Sequence, residues 1–67
     1  MKIIKTFFSN DKTRKVEIYQ REDMTFGFDE LKFGVEEDAW FPCGRYSYAI
    51  IDTLENTIQE ASTRVSW

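Results

Sequence analysis

An α+β domain, in which a three- to four-stranded antiparallel β-meander packs against one C-terminal α-helix, is the fold class this sequence predicts. Three observations carry the prediction. Apolar and polar residues alternate from Arg14 to Arg21, clusters of turn formers separate β-prone runs, and an apolar stripe of helical period fills the C-terminal segment.

The first run, Lys2 to Phe8, is rich in β-branched and aromatic residues, and Ser9, Asn10, Asp11 and Lys12 follow as turn formers. A strand and a hairpin turn are expected there. From Arg14 to Arg21, Val16 and Ile18 share one face while Lys15, Glu17 and Tyr19 share the other, as in a strand with one solvated side. Glu22 and Asp23 make the next turn. Between Thr25 and Gly34 the phase changes, with Phe26 and Phe28 at one parity and Leu31 and Phe33 at the other. A β-bulge near Asp29 and Glu30 would return all four to one face, and Gly27 is compatible with such a distortion; a bend between two separate strands is the alternative.

Gly34, Val35, Glu36, Glu37 and Asp38 form a polar connection to a short strand at Ala39, Trp40 and Phe41, which Pro42 ends or confines to a sheet edge. Tyr46, Tyr48 and Ile50 share a parity that fits either sheet or ordered loop. A helix over roughly 53–65 follows from Leu54, Ile58, Ala61 and Val65, with Asp52 as N-cap, Glu55 completing a capping box and Arg64 in the last turn. That narrow stripe needs an apolar partner, and the strand face carrying Val16, Ile18, Phe26 and Phe28 is the one available.

At 67 residues the chain is expected to be one domain, residues 1–67, since it is too short to divide its apolar residues between two cores. A hydrophobic fraction of 42% and an aromatic fraction of 16% lie well above those of disordered chains, so it folds. The net charge of −3 argues against general affinity for phosphate backbones. One cysteine, Cys43, allows no intramolecular disulfide, and a reducing cytoplasm is the expected compartment. The N-terminus lacks a signal-peptide core, and no run is long enough to cross a bilayer; no membrane partner is expected.

The chain has no histidine, which excludes Ser–His and Cys–His nucleophile pairs and imidazole metal sites. Gly27, Gly34 and Gly44 stand too far apart for a phosphate-binding loop. Arg45 beside Cys43 is the arrangement that lowers a thiol pKa, although a free cysteine is more often a packing residue. Asp29, Glu30, Glu36, Glu37 and Asp38 lack the ordered ligand spacing of a calcium loop and fit a solvated turn. Acid–base work by these carboxylates would need a cleft to hold them. No catalytic, metal or cofactor residue is therefore assigned, no small-molecule ligand is identified, and a non-enzymatic role is expected.

Trp40, Phe41, Arg45, Tyr46 and Tyr48 are of the types enriched at binding hot spots, and form the candidate surface for a protein partner or a second copy of the chain. The alternative is a nucleic-acid-binding module in which Lys5, Lys15, Lys32 and Tyr19 share an exposed sheet face; Glu17 and the overall acidity oppose it. Trp40, then Gly44-Arg45-Tyr46, Asp52-Thr53, Glu55 and Glu60-Ala61 together resemble small uncharacterised bacterial proteins of unknown function. The resemblance implies a bacterial cytosolic origin and the order of strands before helix, and transfers no site residue. The element order is also similar to that of the compact DNA-binding domains of some integrases, from which the acidic balance departs.

Overall fold

The computed structural model describes residues 1–45, 49–65 and 67, with backbone alone for 44 and 45. Four strands, β1 (Lys2–Phe8), β2 (Arg14–Gln20), β3 (Phe26–Gly34) and β4 (Ala39–Arg45), form one antiparallel sheet in the order β1-β2-β3-β4. One helix, α1 (Leu54–Arg64), follows. This is the meander and C-terminal helix expected from the sequence.

The first two hairpins turn by the same local chemistry. In each, an aspartate bonds back over the residue two positions on: Asp11 Oδ1 accepts from the Thr13 amide at 3.0 Å and hydroxyl at 2.7 Å, and Asp23 Oδ1 from the Thr25 amide at 3.0 Å and hydroxyl at 2.6 Å. The residue between aspartate and threonine takes a left-handed conformation, Lys12 at φ 60° and Met24 at φ 73°. Asp38, which closes the third hairpin, does the same at φ 51°. Short polar side chains that satisfy the turn's own amides make these bends specific without glycine.

The β2–β3 register is regular, pairing Ile18 with Phe28, Val16 with Glu30 and Lys15 with Leu31. No bulge interrupts β3 against β2, so the expected return of Leu31 and Phe33 to the Phe28 face does not occur. Their change of parity instead serves two faces: Phe28 enters the core under α1, and Leu31 and Phe33 lie on the opposite side of the sheet. The irregularity near this point belongs to β4, where Glu30 faces Gly44 but Leu31 faces Pro42, leaving Cys43 as the extra residue. A second bulge sits in β1, where Ile3 faces Tyr19 and Lys5 faces Ile18, with Ile4 between them. Pro42 thus lies within an edge strand rather than ending it. Tyr46 and Tyr48 fall outside the described residues; beyond them Ile51 forms a single antiparallel bridge with Phe26, through bonds of 2.8 and 3.1 Å.

The core lies between α1 and the inner strands. Val16, Ile18, Phe28, Ala61 and Val65 are buried, with Ile4, Ile51, Leu54 and Ile58 packed against them. Every residue of the expected helical stripe takes part. The helix starts one residue later than Asp52 would have it: Thr53 is the N-cap, with extended backbone (φ −133°, ψ 156°) and a hydroxyl that accepts from the Asn56 amide at 3.1 Å. Asp52 accepts instead from the Asn56 side-chain amide at 3.1 Å. Thr57 is fully buried on the helix's inner face, and its hydroxyl donates to the Thr53 carbonyl at 2.7 Å, so the polar atom enters the core already satisfied.

Candidate functional site

Among the described residues a helix covers one face of the sheet only, and it packs on β2 and β3. The described residues leave two regions uncovered: the face opposite α1, and the flank along β1.

On the face opposite α1, Trp40 meets Phe33 edge-on with ring centroids 5.3 Å apart, and Phe8 reaches across from β1 to within 6.2 Å. The Lys15 ammonium stands 4.4 Å from the Trp40 ring centre and 3.1 Å from Glu17 Oε2. Only 15% of the Lys15 side chain and 22% of Glu17 remain exposed. Lys15 is therefore bound within the sheet surface, by an aromatic face and a carboxylate at once, rather than projecting as a free cation.

Further along the same face, Tyr19 is buried, against the expectation of a solvated position. Its cross-strand partner is Gly27, and a Cβ there would stand 2.6 Å from the Tyr19 ring. The ring lies over the bare backbone, and Arg21 closes it in, with its guanidinium 5.1 Å from the ring centre and Nη2 donating to the phenol oxygen at 3.2 Å. Arg21 also donates to the carbonyls of Phe26 (3.0 Å) and Ala49 (3.1 Å), bracing the β2–β3 turn against the segment that leads into α1. An aromatic placed opposite a strand glycine was the sequence signal for this buried position.

Of the residues grouped from sequence, only Trp40 and Phe41 have described side chains. Trp40 faces Phe33 and Phe41 faces Lys32, so the two adjacent aromatics point to opposite sides of the sheet. Arg45 lies opposite Asp29 in the register; its side chain, with Tyr46 and Tyr48, is outside the described residues. The four residues of the nucleic-acid reading divide as well: Lys15 and Tyr19 are on the face opposite α1, whereas Lys5 and Lys32 align with Ile18 and Arg14 on the helix side.

The carboxylates separate too. Glu30 is buried on the helix side, where Oε2 accepts from the Trp67 indole at 3.1 Å and from Arg14 at 3.4 Å. Asp29 stands opposite Glu17 on the other face. Among the described residues no group of three or more side chains could hold a metal ion. Cys43 forms no disulfide and lies at the surface; partial desolvation of its sulfur, followed by the nearby Glu30 carboxylate, pushes its thiol pKa up, and Arg14 and Lys32 oppose this. A raised pKa leaves less thiolate at neutral pH, the reverse of a reactive cysteine.

The β1 flank was not singled out from the sequence. Ile3 and Phe8 on one side of this strand are each 52% exposed, and Phe7 on the other is 37% exposed. Between Phe7 and α1 an open cleft of about 570 Å³ runs toward the β1–β2 turn, lined by Phe7, Val16, Ile58, Ala61, Val65 and Trp67. Its size falls in the range of sites that accept a small ligand or one or two side chains. Strand composition alone could not reveal it, because it arises from how far α1 is offset toward β3.

No protein-family model matches this chain, and neither the curated proteins nor the solved structures contain a match to it. The fold is thus shown by the structure itself, and among the described residues no helix is long and apolar enough to cross a membrane.

Proposed function

We propose that this chain is a non-enzymatic interaction module that engages another polypeptide through the uncovered flank of its sheet. The observation that supports this reading is the apolar surface of β1: the offset of α1 leaves Phe7 exposed beside an open cleft, and Ile3 and Phe8 stand exposed on the side of the same strand that α1 does not cover. Apolar groups gathered in one region, rather than scattered singly, are what a partner's surface covers. The free, exposed Cys43 supports a cytoplasmic location, where thiols stay reduced.

Light scattering across a concentration series, combined with affinity capture from a cytoplasmic extract, tests the proposal. The expected result is a retained partner or a concentration-dependent dimer, lost in an Ile3→Ser, Phe8→Ser double variant that keeps its circular dichroism spectrum. A wild-type protein that stays monomeric at every concentration and retains nothing refutes it.

A further inference from the structure

We infer that β1 accepts an extended, acidic segment of a partner chain as an added strand, with an apolar side chain of that segment seated in the cleft beside α1. This rests on the interaction-module reading and names the chemistry of its partner. An edge strand offers unpaired backbone groups to an incoming strand, and side-chain pockets beside it supply specificity. β1 is the first strand in the sheet order, so its outer side has no neighbour among the described residues. The far edge is unsuited to the same use, because Pro42 brings no N–H and the Cys43 bulge breaks the spacing of β4.

Charge sets the kind of segment. Residues 1–10 contain Lys2 and Lys5 and no acid, in a chain whose net charge is −3. Both lysines are exposed, and Lys5 holds its ammonium 5.6 Å from the centre of the Phe7 ring that lines the cleft. An incoming strand with carboxylates meets these cations across the strand pair, and opposite charges there stabilise pairing. A second copy of β1 would bring its own Lys2 and Lys5 against them, and like charges oppose pairing. The occupant favoured is therefore a different, acidic sequence with an apolar residue where the cleft opens, rather than a copy of this chain.

The test uses the full chain and a fluorescent peptide of the length of β1 in which two glutamates and one phenylalanine share one parity, with threonine at the other parity, because Lys2, Lys5 and the cleft all lie on the helix side of the sheet. Saturable binding is expected, weakening as salt rises, with NMR shift changes concentrated in Lys2 to Phe8, Ile58, Ser62 and Trp67 and slowed exchange of β1 amides. A Lys2→Glu, Lys5→Glu double variant should bind about tenfold more weakly, as the loss of two cross-strand charge pairs predicts. The exposed cleft residue Ser62 offers an independent check: Ser62→Trp narrows the cleft without entering the core, and should also weaken binding. Shift changes centred on Trp40 and Phe33 would overturn the inference. So would a β1–β1 dimer that excludes the peptide, or a single-stranded oligonucleotide that binds the same lysines more tightly. A cytoplasmic partner retained undiminished by the double lysine variant would overturn the β1 assignment while leaving the interaction module standing.

Discussion

Replacing Lys12 and Met24 with glycine should stabilise this protein, because both residues close hairpins in a left-handed backbone conformation. For an L-residue that conformation costs roughly 1–2 kcal/mol, and glycine escapes the cost while giving up about 0.5–1 kcal/mol of additional unfolded-state entropy. The net gain is therefore about 0.5–1 kcal/mol per site. Little is lost in contacts. Both side chains are exposed, and Met24 makes only a weak 3.6 Å contact through its sulfur with Gln20. The two turns sit at opposite ends of β2, a strand of 7 residues and hence about 23 Å long, so the gains should add. The Lys12→Gly, Met24→Gly double variant is expected to gain about 1–2 kcal/mol, or a rise in Tm on the order of 5–15 °C for a domain of this size. Urea denaturation followed by circular dichroism, with unchanged m-value, gives the free energy directly. A double variant no more stable than the wild type would show that these positions do not hold the left-handed geometry, and that the twin-turn account of the hairpins is wrong.

Three further outcomes follow from contacts described above. Thr53→Ala should lower stability by about 1 kcal/mol through loss of the N-cap, whereas Asp52→Ala, which loses one exposed side-chain bond, should stay within about 0.5 kcal/mol of wild type; paired urea melts that reverse this order would return the cap to Asp52. The Thr13 bonds hold Asp11 at a pKa of about 2, against an ordinary 3.8, and the Thr25 bonds lower Asp23 in the same direction. A depressed carboxylate pKa stabilises the fold above the ordinary value, and that contribution disappears as pH falls from near 4 through about 2. Acid unfolding should accordingly be shallower in an Asp11→Asn, Asp23→Asn double variant than in wild type across that window; superimposable profiles would contradict the assignment. Gly27→Ala should cost about 1–3 kcal/mol, because the added methyl meets the buried Tyr19 ring and the Arg21 guanidinium that braces it. A thermal melt unchanged by this substitution would mean that the ring moves aside freely.

What the sequence disclosed was periodic. Alternation at Val16 and Ile18, and the four-three-four spacing of Leu54, Ile58, Ala61 and Val65, identified the inner strand and the helix, because burial on one face imposes a repeat that neighbouring residues cannot hide. The positions misread were those where a face is not uniform. Leu31 and Phe33 suggested a bulge because a single apolar face was assumed, while the sheet in fact buries apolar groups on both sides at this point. Tyr19 looked solvated by its parity, and only the glycine opposite it makes room for the ring. The helix start was displaced by one residue since Asp52 and Thr53 are both competent caps, and backbone direction rather than residue type selects between them. The candidate surface fared differently. Trp40 and Phe41 are neighbours in the chain, yet alternation places them on opposite sides, and the β1 cleft depends on helix placement that no local pattern encodes.

The proline and extra residue in β4 limit more than the shape of one rim. A molecule that could be extended at both margins would polymerise, each newcomer presenting a fresh template to the next. Pro42 and the extra residue make β4 a poorer template than β1, so stacking of like sheets edge to edge, which needs two receptive margins on every molecule, is disfavoured by the chain's own backbone.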